Sequence, residues 1–182
     1  MIYVALLRGI NVGGKSTVDM KQLKAVFEDA GMTSVTTYIN SGNVVFSSRA
    51  RNRTKLAARL EEAIAERFGF HVRVLVRDLA GMRLVMDALP SDWVNDQAIR
   101  CEVMFLWDTV DFPGVVDDLT IKPAIDDVRH VPGAVIWKVD RSNVNRSGMV
   151  KLIGTPLYRQ MTMRSCNTTR KLLELMEATA GR

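Results

Sequence analysis

Residues 35–48 read V-T-T-Y-I-N-S-G-N-V-V-F-S-S and decide the fold of the first half of the chain. β-Branched and aromatic residues fill both ends of this stretch, and Ser41-Gly42 lies between them. Such runs on either side of a short turn with glycine predict a β-hairpin. We therefore predict antiparallel strands over residues 35–40 and 43–48.

The residues around this hairpin show helical periodicity and two further apolar runs. Asp19 and Gln22 predict the start of a helix that ends at Gly31, and a second helix ends at Gly69. The apolar positions that recur at helical spacing are Met20, Leu23, Val26, Phe27 and Ala30, and then Leu56, Leu60, Ile64 and Phe68. Apolar runs at 2–7 and 72–76 predict a strand on each side. The order β-α-β-β-α-β is the ferredoxin-like plan.

The second half of the chain predicts the same order again. A helix over residues 79–89 stops before Pro90, and a polar connection continues to residue 98. The later predicted elements are a strand at 100–107, a short helix capped by Asp111 and opened by Pro113, a hairpin of 128–131 and 134–139 around Pro132-Gly133, a helix at 149–158, a strand at 161–164 and a helix at 168–180. We predict an α+β protein of two ferredoxin-like lobes in tandem with a C-terminal helix. The predicted segments are an N-terminal lobe at 1–77, a helix and linker at 78–99, and a C-terminal lobe at 100–182.

The composition of the 182 residues is that of a folded globular protein, with 47% hydrophobic and 25% charged residues. Cys101 and Cys166 stand in no metal or redox spacing, and His71 and His130 are too few for a conventional zinc site. We expect reduced thiols that are buried or half-buried, no metal and no cofactor. The first residues carry no basic leader and no apolar run could cross a bilayer, so we expect a cytoplasmic protein without a membrane partner. The sequence leaves the oligomeric state open.

The charges divide the chain into three blocks. Residues 1–77 carry a net charge of +6, residues 78–127 carry −8, and residues 128–182 carry +7. The interpretation we favour is that the acidic middle packs beside the basic ends. The alternative is a basic face for nucleic acid, but no cluster of Lys and Arg interleaves with aromatic residues.

Residues 9–16, G-I-N-V-G-G-K-S, match the phosphate-loop pattern of nucleotide-binding enzymes. A true phosphate loop leads into its helix at the lysine, so that the first helical N–H groups face the phosphates. Here the predicted helix starts only at Asp19, and an antiparallel hairpin follows where a parallel β-α-β unit is needed. We therefore reject a nucleotide-hydrolysing site.

The first strand, I-Y-V-A-L-L at 2–7, is similar to that of RNA-recognition domains, which share this fold. Those domains stack bases on aromatic residues of the third strand. The corresponding run has Asn43, Val44 and Val45 before its one aromatic residue, Phe46. We therefore expect Tyr3 to be a half-buried sheet residue, and nucleic acid is the disfavoured partner.

Three stretches carry a resemblance to a bacterial family of unknown function. They read LLRGINVGGK at 6–15, TYINSGNVVF at 37–46 and TMRSCNTTRKL at 162–172, and the family signatures are LRGINVGGK, YxQSGNVVF and TxRNWNTxxKL. The resemblance implies two ferredoxin-like lobes and no established activity. The chain departs from the signatures at Asn40, where Gln is common, and at Ser165 and Cys166, where Asn and Trp are usual. The matching positions of the third motif are Arg164, Asn167, Thr168 and Lys171.

The first two motifs supply one set of candidate ligand-binding residues. Arg8, Asn11 and Lys15 lie in a single loop whose glycines allow unusual backbone angles and close approach of a ligand. The alternative is a tight strand-to-helix connection that needs glycine for itself. Asn40 and Asn43 flank the hairpin turn, where such residues often satisfy hydrogen bonds of the turn.

The third motif supplies the other set. We expect Asn167 or Thr168 to cap the last helix, with Arg164, Arg170 and Lys171 crowded at its positive end. Each such charge opposes the helix dipole at a cost of roughly 0.3–1 kcal/mol. We therefore expect negative partners, which are carboxylates of residues 78–127 for Arg170 and a bound anion for Arg164.

These observations lead to a functional hypothesis with alternatives. The hypothesis is a binding module for a small anionic or phosphorylated ligand, at a basic corner formed by residues 8–15 and 164–171. The first alternative is an enzyme, transferase-like, that uses the same corner; its catalytic residues are unknown. The second is a protein-interaction or RNA-binding module with an open sheet face. The candidate ligand-binding residues are Arg8, Asn11, Lys15, Asn40, Asn43, Arg164, Asn167, Thr168 and Lys171.

Overall fold

A computed structural model of the chain describes residues 1–14 and 16–181. The chain forms two compact units. The first unit contains Met1–Ala80 and the chain end from Leu172 onward, and the second contains Gly81–Lys171. No helix in the described part of the chain is long and apolar enough to cross a membrane.

The first unit is a four-stranded antiparallel sheet with two long helices. Its strands are β1 (Ile2–Leu7), β2 (Thr33–Tyr38), β3 (Asn43–Ser47) and β4 (Val74–Asp78), in the order β2-β3-β1-β4. Helix α1 (Met20–Asp29) follows β1, and α2 (Arg53–Phe68) follows β3. This is the predicted β-α-β-β-α-β order, and the hairpin between β2 and β3 is confirmed.

The ends of both helices follow from local sequence. The Asp19 side chain accepts a hydrogen bond from the backbone N–H of Gln22 at 2.8 Å, so α1 begins where predicted. The Asn52 side chain caps α2 in the same way, through the N–H of Lys55 at 2.9 Å. Gly69 ends α2 in the left-handed conformation, with φ of 78°.

Both faces of the first sheet are buried. Tyr3 and Phe46 stack with ring centroids 5.8 Å apart on the face that packs against the helices, and Phe27 of α1 meets Phe46 edge-on at 5.4 Å. Residues that point to the opposite face, among them Val4 and Val45, are also fully buried. Tyr3 is therefore more deeply buried than predicted and offers no platform to a base.

The hairpin loop is longer than the predicted two-residue turn. Tyr38 pairs with Asn43, so the strands are joined by the four residues 39–42. Ile39 and Gly42 have positive φ angles of 47° and 75°. An alanine-sized side chain at position 42 would lie 2.7 Å from Leu7, and this crowding requires glycine there.

The second unit repeats the strand order of the first, and short helical turns take the place of the two long crossover helices. Its strands are β5 (Ile99–Leu106), β6 (Asp126–Val131), β7 (Ala134–Asp140) and β8 (Met161–Ser165), in the order β6-β7-β5-β8. The remaining helices of the chain are α3 (Leu79–Ala88), α4 (Met149–Leu152) and α5 (Cys166–Ala180). The α+β class and the repeated sheet topology are confirmed.

The two crossover segments of the second unit differ from the predicted helices. Two short 3₁₀ helices, Asp108–Val110 and Pro113–Asp118, replace the helix predicted after β5, and Asp111 does not cap them. Its carboxylate accepts a hydrogen bond from Gly133 N at 2.7 Å and lies 3.1 Å from His130 Nε2. The helix predicted over 149–158 is only the four-residue α4, because the backbone is already extended at Ile153, with ψ of 128°, and Gly154 follows with a positive φ of 90°.

The compact units differ in their bounds from the predicted segments 1–77, 78–99 and 100–182. Residues 81–99 belong to the second unit, and the end of α5 belongs to the first. The predicted linker is tied down by hydrogen bonds from the start of α5, so it does not stand apart from the second sheet.

Candidate functional site

The glycine-rich loop between β1 and α1 has an unusual backbone. Positive φ angles occur at Gly9, Asn11, Gly13, Gly14 and Ser16, between 53° and 73°. No other atom lies within 4 Å of the position that a Cβ would take at any of the three glycines. The loop therefore needs glycine for its backbone angles, and these positions face open space. The predicted site residue Lys15 lies outside the described residues.

The Asn11 side chain closes this loop. Its Nδ2 donates hydrogen bonds to the carbonyls of Val18 at 3.0 Å and Asn40 at 2.8 Å, and its Oδ1 accepts one from Val18 N at 2.8 Å. The amide thus connects the loop to the hairpin and uses its donors on backbone groups. This arrangement supports the alternative of a tight strand-to-helix connection.

The other predicted site residues at this end of the sheet, Asn40, Asn43 and Arg8, form hydrogen bonds within the first unit. Asn43 is buried, and its Nδ2 donates to Tyr38 O at 3.1 Å and Ser41 Oγ at 2.9 Å, so it satisfies the hairpin turn. Asn40 is exposed and receives the bond from Asn11 at its carbonyl. Arg8 is half-buried at the end of β1, where its N–H donates to Arg73 O at 2.9 Å.

Arg164 lies in the second unit and is only 7% exposed. Its Nη1 donates to Thr162 Oγ1 at 3.0 Å and to the carbonyl of Met163 at 2.7 Å. Burial lowers the pKa of the Arg164 guanidinium to about 10. The guanidinium of Arg164, the first basic residue of the third motif, is therefore buried beside its own strand, β8.

Asn167 and Arg170 hold the segment that precedes β5. Asn167 Nδ2 donates to the carbonyl of Asn95 at 2.9 Å, and Asn95 N donates back to Asn167 Oδ1 at 3.1 Å. Arg170 donates to the carbonyls of Trp93 at 2.9 Å and Pro90 at 2.8 Å. The expected carboxylate partners of Arg170 are therefore corrected to backbone carbonyls of the same stretch.

The cap of α5 also differs from the prediction. The helix begins at Cys166, and Ser165 Oγ accepts from Thr168 N at 3.2 Å and donates to Thr168 Oγ1 at 3.0 Å. Ser165 therefore caps the helix in place of Asn167 or Thr168, and Lys171 is half-buried further along it. In the first unit Asn11 and Asn40 are joined by a hydrogen bond. The shared corner of residues 8–15 and 164–171 stays a prediction.

The structure adds a cavity of about 520 Å³ at the opposite end of the first sheet from the glycine-rich loop. Here β1 and β2 begin and β3 ends. We call this cavity the basic pocket. Its lining residues are Met1, Gly31, Met32, Thr33, Ser47, Ser48, Arg49, Ala50 and Arg59.

The charge of the basic pocket is one-sided. Arg49 and Arg59 are its charged side chains, and no carboxylate lines it. Within residues 1–14 and 16–181 neither arginine takes part in an ion pair. Arg59 also lines a neighbouring cavity of about 450 Å³, where Asp29 and Glu66 lie beyond ion-pair distance of it.

The start of α2 adds positive charge beside the basic pocket. Arg49, Arg51, Arg53 and Lys55 precede or open this helix, and its first turn holds no acidic residue. The positive end of the helix dipole therefore adds to the side-chain charge. The run R-A-R-N-R-T-K at 49–55 marks this basic segment in the sequence. The net charge of +6 over residues 1–77 belongs to a much longer stretch and does not locate it.

The basic pocket is suited to binding. Its lining contains no histidine, cysteine or carboxylate that could serve as a base or nucleophile, and it offers the hydroxyls of Thr33, Ser47 and Ser48. Among the residues described, no three His, Cys, Asp or Glu side chains are grouped as metal ligands would be.

Known proteins resemble this chain in sequence and in structure. The profile of a family described as "Protein of unknown function (DUF1697)" matches residues 1–137. No curated protein matches the sequence. A solved structure, described as that of the conserved bacterial protein SP0830 from Streptococcus pneumoniae, superposes with a TM-score of 0.81 at 28% identity, over 96% of this chain and 98% of that one. The chain belongs to the DUF1697 family of proteins of unknown function.

Proposed function

We propose that this chain is a binding module for a small anionic ligand that carries a phosphate group, and that the basic pocket is its site. The observation that carries the proposal is the pair Arg49 and Arg59, which face a cavity without carboxylates and form no ion pair in the described part of the chain. A guanidinium presents parallel N–H donors that match the oxygens of a phosphate.

The dimensions of the basic pocket support a small ligand. Its volume of about 520 Å³ is within the range of pockets that hold metabolite-sized molecules. Thr33, Ser47 and Ser48 supply hydroxyls for the uncharged part of such a ligand. The pocket lies at strand ends and against α2, which holds Arg59, while Arg49 lies in the short segment between β3 and α2.

The proposed ligand class is the one expected from the sequence, but the proposed site is the basic pocket and not the corner of residues 8–15 and 164–171. Asn11, Asn43 and Asn167 each bond to groups of their own unit, which leaves them less available to a ligand than the sequence suggested. The enzyme alternative gains no support from the basic pocket, because its lining holds no pair of nucleophile and base.

Binding can be tested by isothermal titration with inorganic phosphate, pyrophosphate, a sugar phosphate, a nucleoside monophosphate and a phosphate-free carboxylate. We expect at least one phosphate compound to bind with a submillimolar Kd. Arg59→Gln and Arg49→Gln should each weaken that binding by roughly tenfold, since a hydrogen bond to a charged group contributes about 1.5–3 kcal/mol.

Arg67→Gln is the matched control, because Arg67 lies on the same helix and lines the neighbouring cavity but not the basic pocket. Its binding should equal that of the unmodified chain. Failure of every phosphate compound to bind, or an equal loss in Arg67→Gln, would contradict the proposal.

A further inference from the structure

The two cysteines of the chain lie on neighbouring strands of the second unit. Strand β5 pairs antiparallel with β8, and Glu102 lies opposite Ser165. Cys101 and Cys166 are the next residues beyond this last pair, and Cys166 is the first residue of α5. Opposite residues of an antiparallel pair have Cα atoms about 4.5–5.5 Å apart, and a disulfide needs about 4.4–6.8 Å.

The thiols are free and in contact. Both side chains are fully buried, and the two sulfurs lie near enough for each thiol to shift the pKa of the other. Cys166 Sγ also donates a hydrogen bond to Asn167 Oδ1 at 3.4 Å. The two cysteines are 65 positions apart in the sequence and have no redox spacing. The pairing of β5 with β8 brings them together.

The surroundings of the two sulfurs differ. Cys166 stands at the N-terminal end of α5, near the N–H of Asn167 and near the guanidinium of Arg170 one turn along. The hydrogen bond from Cys101, followed by these positive groups, lowers the pKa of the Cys166 thiol. The same hydrogen bond, with burial, raises the pKa of Cys101. Cys166 is therefore the more acidic thiol of the pair.

We propose that Cys101 and Cys166 form a dithiol that a hydroperoxide oxidises to an intrachain disulfide. The Cys166 thiolate attacks one oxygen of hydrogen peroxide, the O–O bond breaks, and Cys166 becomes a sulfenic acid. The hydroxide that leaves takes up the proton that Cys166 released, which gives the first water. Cys101 Sγ then attacks the Cys166 sulfur, the S–O bond breaks, and water leaves with the proton of Cys101. The dithiol loses two electrons, and hydrogen peroxide is reduced to two molecules of water.

Burial makes the pair selective for its oxidant. Neither cysteine has exposed surface, so a bulky alkylating reagent does not reach the sulfurs while the protein is folded. Hydrogen peroxide is close to water in size and therefore needs the smallest local opening to reach them. The disulfide then joins β5 to the start of α5, within the register that already exists.

The test uses the full chain, reduced and then exposed to hydrogen peroxide. After unfolding and alkylation with N-ethylmaleimide, intact mass spectrometry counts the remaining thiols. We expect two alkylated thiols before treatment and none after it, with a loss of the mass of two hydrogen atoms. Two variants separate the roles: Cys101→Ser should accumulate a dimedone-reactive sulfenic acid at Cys166, and Cys166→Ser should react roughly tenfold more slowly at Cys101.

The unmodified chain decides the question even where a variant fails to fold. Retention of both thiols, under conditions that fully oxidise glutathione, would overturn the proposal. Oxidation of Cys166 to sulfinic or sulfonic acid, with Cys101 still alkylated, would overturn it as well, because the second sulfur would then not reach the first.

Discussion

The carboxylate of Asp126 accepts a hydrogen bond from the indole Nε1 of Trp137, with 3.1 Å between Oδ1 and Nε1. Ser147 Oγ donates to the same oxygen, and the backbone N–H groups of Gly148 and Lys122 donate to Oδ2 at 3.0 and 2.9 Å. Asp126 is only 5% exposed. The buried carboxylate of Asp126 thus connects β7 to the segments around Lys122 and Ser147, which lie where the second unit has no long helix.

Removing the charge of Asp126 should destabilise the protein. In Asp126→Asn one acceptor oxygen becomes an N–H₂ donor. This donor would face the N–H or O–H groups that now donate to that oxygen, so their hydrogen bonds would be lost. We expect the free energy of unfolding to fall by about 2–4 kcal/mol, the cost of leaving buried polar groups unsatisfied. Asp127→Asn is the control: Asp127 is exposed and pairs with Lys138, so it should cost less than about 1 kcal/mol. Urea denaturation measures both, and equal losses would refute this account of Asp126.

The same carboxylate should make stability depend on pH. Burial acts to raise the pKa of Asp126, but the hydrogen bonds from Ser147, Gly148, Lys122 and Trp137 outweigh it, and the pKa lies below its ordinary value. A folded-state pKa below the unfolded value, about 3.9, contributes stability above that pH. This contribution is lost as the pH falls through the folded pKa. Urea curves from neutral pH downward should show the gap between the unmodified chain and Asp126→Asn closing below about pH 4; a constant gap would exclude the mechanism.

Gly148 should tolerate no side chain. A Cβ at this position would lie 1.3 Å from the carbonyl oxygen of Thr120, although the glycine backbone is in the ordinary helical region. We expect Gly148→Ala to lower stability by about 3 kcal/mol, the upper end of overpacking effects. Gly154→Ala is the contrast, because Gly154 has a positive φ in open space and should cost only about 1–2 kcal/mol. Thermal unfolding ranks the two, and the reverse order would show that Thr120 moves aside.

Asn11 should matter for stability through its side chain. Asn11→Gly keeps the left-handed backbone and removes three hydrogen bonds, and we expect a loss of about 2 kcal/mol. Asn40→Ala retains the carbonyl that Asn11 binds and should change stability by less than about 0.5 kcal/mol. If chemical denaturation shows no loss in Asn11→Gly, the amide does not hold the loop.

Arg170 should protect the segment before β5 from proteases. Arg170→Ala removes its bonds to the carbonyls of Trp93 and Pro90. Limited proteolysis should then cut residues 90–96 at least about tenfold faster, since each bond to a charged donor contributes about 1.5–3 kcal/mol. Lys151→Ala, on the exposed side of α4, serves as the control with an unchanged rate. First cuts elsewhere in both proteins would contradict this role.

The first unit could be predicted from sequence because its signals are local. Asp19 caps its helix within three residues, Gly69 ends the next helix, and the hairpin around Gly42 joins neighbouring strands. The strands of the second unit could be predicted as well, but its crossover segments could not, since they are held by long-range bonds to Asp126 and carry little helical periodicity.

The candidate sites divide in the same way. The run at 49–55 is visible in the sequence, but Arg59 joins it only because α2 packs across the strand ends. The pairing of Cys101 with Cys166 depends on the register of β5 and β8, and the partners of Asn167 and Arg170 lie more than 70 positions away. Spacing in the sequence records none of these contacts.

The most direct test of anion binding in the basic pocket is an NMR titration of the ¹⁵N-labelled chain with inorganic phosphate. Amide shifts locate the ligand residue by residue without a mutation. We predict saturable shifts at Gly31, Met32, Thr33 and residues 47–50 at millimolar phosphate. Shifts confined to the glycine-rich loop at 9–14, or none that saturate, would contradict the central claim.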